Sequence, residues 1–333
     1  MKHLALLFFP ILFACASAPQ TSPQTAASSP SPAFGDPEGF REAYQIRAPI
    51  YYSDDLGLTW QALADNLPAE AQVSFMTWMG DRMLVATDNL GLFISDERLA
   101  NWQAIGTALP SPKLNALWIE GNDIYVGVYR EGIFTSADIG QSWQSLQHNL
   151  PEKKVQSLRI FDGNLVAGTD TGIYQFDKKL SKWESLYEGL QVLSLEALEG
   201  LWVAGSSQGT LASSDQGRSW QWLNQGDAMH YTRVIENQIV ELAINGDLRF
   251  SGDQGKTWQA IEYGQKDASY VFEMAKVGDT WILSNDYGIH RSAKNYQDWR
   301  LSYGTETMAF FDFLQKGERL YGGTRAWDQF RGR

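Results

Sequence analysis

The chain is poor in the residues that build cross-links and metal centres. Cys15 is its one cysteine in 333 residues, and it has four histidines. A single thiol excludes an intrachain disulfide and any site that needs two cysteine ligands. His148, His230 and His290 share no metal-ligand spacing, and no glycine-rich phosphate loop occurs. The seven methionines are scattered and form no adaptable stripe. No metal and no cofactor is therefore expected. Basic charge is also in short supply: 27 Lys and Arg stand against 39 Asp and Glu, a formal net charge of −12. Nucleic acid and anionic lipid surfaces require a positive field, so neither is an expected partner. Long hydrophobic runs are missing as well. The longest, Leu4 to Phe13, is interrupted by Pro10 and falls far short of the roughly 20 residues that span a bilayer.

That short run reads as an export signal, because it follows Met1-Lys2-His3 and ends in Leu12-Phe13-Ala14-Cys15. The last four residues resemble the bacterial lipobox. The resemblance implies a signal peptide over 1–14, cleavage before Cys15 and lipidation of that residue. Ala16 after the cysteine implies the outer membrane if the cell has two membranes. Ordinary secretion, with cleavage near Ala16-Ser17-Ala18, is the alternative. Residues 15–44 are rich in Ser, Thr, Pro and Ala and cannot bury a core, so they are expected to form a tether. A coil of about 20 such residues spans roughly 25 Å.

What the chain does have is aromatic residues and glycine: 13 Trp, 14 Tyr, 16 Phe and 30 Gly. That mixture suits many short strands joined by tight turns. A repeat carries it. Four copies are clear: Ser53-Asp54-Asp55-Leu56-Gly57-Leu58-Thr59-Trp60, then Ser136, Asp138, Gly140 and Trp143, then Ser213, Asp215, Gly217 and Trp220, then Ser251, Asp253, Gly255 and Trp258. Three further copies end at Trp102, Trp183 and Trp299, with Glu97, Lys178 and Lys294 in place of Asp and Leu99, Leu180 and Tyr296 in place of Gly. Successive tryptophans lie 42, 41, 40, 37, 38 and 41 residues apart, the length of a four-stranded unit. In each copy the carboxylate can accept N–H groups across a hairpin, the glycine can take positive φ, and the indole can cover apolar surface. These residues are expected to be architecture, since three copies lose the Asp and keep the Trp.

The motif S-x-D-x-G-x-[TS]-W resembles the Asp box of BNR-repeat proteins. The resemblance implies an all-β, seven-bladed β-propeller over 45–333. Its style is that of photosystem II stability/assembly factor-like and sialidase-superfamily propellers. Before each hairpin come an innermost strand, such as Leu114-Asn115-Ala116-Leu117, and an apolar second strand, such as Leu165-Val166-Ala167-Gly168. The first hairpin lacks inner strands before it, and the last inner strands, near Phe310 and Leu320, lack a hairpin after them. The two ends are therefore expected to share one blade and close the ring.

In such a ring the Asp-box turns face one side, and the blade-to-blade and second-to-third-strand loops face the other. Candidate ligand residues on the second face are Asp88, Tyr129, Arg130, Asp170, Asp286, Tyr287 and Arg325, with Lys113, Lys154 and His230 in the blade-to-blade loops. Tyr, Arg and carboxylates around a funnel can hold a peptide or a sugar. The sequence thus points to a non-catalytic, monomeric envelope scaffold that binds a protein or glycan. The alternative is a glycoside hydrolase of sialidase or xyloglucanase type with carboxylates in the funnel. For the sialidase variant the string nearest to Arg-Ile-Pro is Arg47-Ala48-Pro49, which lies too close to the first hairpin to serve.

Overall fold

A computed structural model describes residues 48–63, 66–264, 271–285, 288–302 and 310–325. The signal, Cys15 and tether expectations lie outside these residues, as do Asp286 and Tyr287. The described residues form 28 strands and no helix, in seven four-stranded antiparallel sheets. The innermost strands are Val73–Met79, Leu114–Glu120, Val155–Phe161, Val192–Leu198, Met229–Ile235, Val271–Val277 and Phe310–Lys316, which begin blades 1 to 7. Each packs against the next, and the last packs against the first, so the ring is closed. This is the seven-bladed β-propeller that the repeat predicts.

The closing blade has the strand order Gln61–Ala62, Ile50–Ser53, Arg319–Thr324, Phe310–Lys316. Two strands come from each end of the ring. Ile50 lies opposite Gly323 and Ser53 opposite Leu320. Trp60 and Leu320 share one buried cluster with Phe310, Ile282 and Ile289, which ties blade 7 to blade 6.

Second strands such as Arg82–Thr87 and Asn164–Thr169 are buried along almost their whole length, because both faces meet neighbouring blades. Four of them end in a fully buried hydroxyl: Thr87, Thr169, Ser206 and Thr324. Each donates to a backbone carbonyl at the turn, at Gly91, Gly172, Gly209 and Ala48 respectively. Burying a hydroxyl is tolerable only when it is bonded, and here the bond also fixes the hairpin.

The Ser-x-Asp-x-Gly hairpins share one hydrogen-bond pattern. Asp138 Oδ1 accepts from Ser142 N at 2.9 Å and Oδ2 from Ser142 Oγ at 2.6 Å, while Ser136 Oγ accepts from Gly140 N at 2.7 Å. Ile139 and Gly140 both have positive φ, 59° and 79°, the backbone of a tight mirror-image turn. The glycine is needed twice over, since a Cβ there would sit 2.7 Å from Ile105 in the previous blade. Trp143 Nε1 also reaches that blade and donates to the Ile105 carbonyl at 3.0 Å. The tryptophan is therefore an inter-blade staple as well as a lid.

Candidate functional site

Antiparallel pairing decides which residues meet at the loop-rich end. Val73 pairs with Thr87, so the start of an innermost strand lies beside the end of the second strand, and the Trp hairpins lie at the opposite end. Asp88 follows the second strand of blade 1 and donates its N–H to the Gln72 carbonyl at 2.8 Å. The same bond is made by Tyr129 to Lys113, Asp170 to Lys154, Ser207 to Gln191 and Ile244 to Ala228. Asp88, Tyr129 and Asp170 thus occupy one equivalent position in successive blades around the axis. Arg325 follows the second strand of blade 7 in the same way. Ser207 and Ile244 belong to this set too. Sequence reasoning missed them because neither looks like a ligand residue, yet Ile244 is 47% exposed and adds an apolar contact to the rim.

The candidate carboxylates are committed to the fold. Asp88 pairs with Arg325 at 3.0 Å and Lys113 at 3.8 Å, which joins blade 7 to blade 1. Asp170 accepts from Gln156 at 2.7 Å and Gln191 at 2.8 Å, and pairs with Lys154 at 3.1 Å. Burial works to raise the Asp170 pKa, and these donors outweigh it and hold the carboxyl below its usual value. At the surface of this sector lies a half-buried aromatic ring flanked by the exposed Arg130 and by Lys113, the partner of Asp88. Lys113 Nζ lies 4.7 Å and Arg130 Cζ 5.0 Å from the centre of the Tyr129 ring. Arg130 is held at φ 59°, a left-handed conformation that costs a non-glycine residue on the order of 1 kcal/mol.

A bulge recurs in every innermost strand, at Ser74, Asn115, Gln156, Leu193, His230, Phe272 and Phe311. A bulge re-aims the side chains that follow it. His230, expected in a loop, is one of these bulged residues, and its Nδ1 is 3.1 Å from the Val271 carbonyl oxygen.

Below the bulges runs a chain of ionisable groups. Arg159 Nη1 is 2.6 Å from Glu196 Oε2, and Glu196 Oε1 is 3.7 Å from Arg233 Nη1. Arg233 grips Glu273 with two nitrogens, the shorter contact being 2.6 Å. Asp312 Oδ2 accepts from Met76 N at 2.5 Å. Arg159 and Arg233 also lie over the rings of Trp118 and Tyr231, at 5.0 and 4.4 Å. Burial raises the Glu196 pKa more than its two arginines lower it. Burial, and then the charge of Glu273, push Asp312 up to about 8. Burial works to lower Arg233, but Glu273 outweighs it and raises the guanidinium further. Arg159, Glu196 and Arg233 of this chain line a cavity of about 140 Å³, together with Phe75, Trp118, Gln156 and Tyr231 among others.

His290 is buried, with Nε2 3.3 Å from Asn285 Oδ1, and burial lowers its pKa to about 4. It sits on a third strand as a packed residue.

No protein-family model and no curated protein matches the sequence. Solved structures do. YCF48 bound to a D1 peptide aligns with a TM-score of 0.63 at 17% identity, over 78% of this chain and 93% of that one. YCF48 from Cyanidioschyzon merolae gives 0.61 at 12% identity, over 78% and 97%. The GH74 xyloglucanase from Xanthomonas campestris gives 0.60 at 15% identity, over 84% of this chain and 56% of the enzyme. At these identities the likeness is one of fold, and the chain is similar in architecture to the YCF48 structures and to part of a GH74 xyloglucanase.

Proposed function

We propose that this ring is a non-catalytic scaffold that holds an envelope protein on its loop-rich face, and that a lipid on Cys15 anchors it to the cell envelope. The observation that carries the first part is the state of the axial acids. Glu196 and Glu273 are each bonded to arginine, and Asp312 accepts a backbone N–H. A glycosidase needs two carboxyl groups free to flank a sugar ring, roughly 5–9.5 Å apart. The cavity of about 140 Å³ beside these groups is also well below the roughly 300–1,000 Å³ of ordinary ligand pockets. A protein partner needs no such cavity. It needs an exposed face with aromatic and apolar anchors, which Tyr129 and Ile244 supply, and charge at the rim, which Lys113 and Arg130 supply. The fold neighbour bound to a D1 peptide supports this reading, because it is a structure of similar extent and fold with a peptide held on it.

The hydrolase reading keeps one observation, the raised Asp312 carboxyl, since a glycosidase acid must be protonated near neutrality. Asp312 does not line the cavity. Purified protein assayed on xyloglucan and on sialosides separates the readings. The scaffold reading expects no turnover, and turnover lost in Glu196→Gln or Asp312→Asn overturns it. For the anchor, Cys15→Ala is expected to release the protein from membranes, and full membrane retention of that variant refutes it.

A further inference from the structure

Asp312 and Glu273 occupy the same place in adjacent blades, each directly after the bulge of an innermost strand. The other five blades carry Phe75, Ala116, Ser157, Ser194 and Tyr231 at that place, so the two acids stand together only where blade 6 meets blade 7. Along the axis, two guanidinium groups serve three carboxyl groups. Arg159 is taken by Glu196, and Arg233 is divided between Glu196 and Glu273. Among the described residues no cation forms an ion pair with Asp312.

The other charged groups around blade 7 are committed elsewhere. On the blade 6 innermost strand, Lys276 pairs with Glu236. On blade 7 itself, Lys316 pairs with Asp81 and Arg319 with Asp54, both at the turn-bearing end. Arg325 is held by Asp88 at the mouth. The innermost strand of blade 1, Val73–Met79, brings no titratable side chain and offers Asp312 the Met76 N–H. A third negative charge on the axis therefore meets Glu273 with no ion-pair partner of its own, and the charge of Arg233, already shared by Glu196 and Glu273, offsets it less than burial and Glu273 oppose it.

We propose that the ring is closed by a proton-operated latch, in which protonated Asp312 lets blade 7 pack between blades 6 and 1, and ionised Asp312 sets two carboxylates against each other and loosens that seam. The seam is the one place where loosening has a mechanical consequence, because blade 7 is assembled from both ends of the ring and is held by the pairing of Ile50–Ser53 with Leu320–Gly323. Elsewhere the chain runs continuously through each blade. Burial and the Glu273 charge place the Asp312 titration near pH 8. The sign follows from linkage. Because the folded state binds this proton more tightly than the unfolded chain does, the contribution of Asp312 to stability is complete below about pH 4. It is lost as pH rises through about 8.

The test uses the mature chain, with carboxyl carbons followed by NMR and amide exchange followed strand by strand between pH 6 and 9. Asp312 is expected to titrate near pH 8. Between pH 6 and 8, amides of 50–53 and 310–316 are expected to lose at least tenfold in protection relative to those of Val155–Phe161 in blade 3, with no further loss above pH 8. Asp312→Asn should abolish the difference, and Glu273→Gln should move both the titration and the loosening to lower pH. The Glu273→Gln readings also serve if the Asn variant does not fold. An Asp312 carboxyl that titrates below pH 5 in the wild-type protein, or blade 7 loosening that persists unchanged in Asp312→Asn, overturns the proposal.

Discussion

Ser53 lies opposite Leu320 in the closing blade, so the first hairpin of the ring is completed by its last strands. Close packing at this seam leaves no room for added volume. A Cβ on Gly323 would fall 2.4 Å from Val73 Cγ1, and the neighbouring blade would have to move. Gly323→Val is expected to destabilise the ring by about 1–3 kcal/mol through overpacking. Gly252→Ala is the control, because nothing lies within 4 Å of a Cβ there. Urea unfolding of the two variants measures the difference.

Two of the three altered hairpins keep an aspartate, but at another place. Asp96 Oδ1 accepts from Arg98 N at 3.1 Å and Ala100 N at 2.9 Å, and Oδ2 from Asn101 Nδ2 at 2.7 Å. Asp177 likewise accepts from Lys179 N and Leu180 N. Each stands one residue before the position of the motif Asp, so the turn survives where the motif looks lost. Asp96→Ala is expected to lower the melting temperature, and Glu97→Ala to leave it unchanged. Thermal unfolding of the pair decides whether the shifted carboxylate is the one that holds the turn.

Arg233 is the shared cation of the axial chain. Removing it leaves Glu273 buried and Glu196 half-buried with one partner fewer, and truncating such a partly solvated network costs on the order of 2 kcal/mol, below the range for a fully buried pair. Arg233→Gln is expected to lose stability on that scale, and the loss should shrink in the double variant Arg233→Gln with Glu273→Gln. A double-mutant cycle in urea measures the coupling.

Much of this architecture was legible in the chain, and the reason is physical. A tryptophan that closes each blade must recur at the blade length, so the spacing from Trp60 to Trp299 counted the blades before any coordinates. The unequal ends showed where the ring closes for the same reason. The axial chain was not legible, because its members sit singly on five innermost strands and look like isolated charges. A signal did exist: Arg159 and Glu196 are 37 residues apart, and Arg233 and Glu273 are 40 apart, which is the blade repeat itself. The inter-blade bonds of the loop-face aspartates were hidden for the opposite reason. Asp88 and Asp170 look like free ligand groups in a turn-rich loop, and only their partners, Arg325 and Gln191, reveal that they stitch blades together.

His290 gives the fold a pH response opposite in sign to that of Asp312. Its neutral form is buried, and burial holds its pKa near 4 against 6.5 in the unfolded chain. The stability it contributes is therefore present above about pH 6.5 and lost as pH falls towards 4, at most about 3 kcal/mol by linkage. His290→Phe is expected to flatten this acid limb of the stability curve and leave the alkaline limb in place. Chemical unfolding at pH 4.5 and 7 checks it.

The scaffold reading is tested most directly by site-resolved photo-cross-linking in cells. One photoreactive residue replaces Tyr129 on the loop-rich face, and another, in a separate variant, replaces Thr257 at the tip of a Trp hairpin on the opposite face. The account predicts a discrete adduct from position 129 and none from position 257. An adduct formed only from position 257 would contradict it.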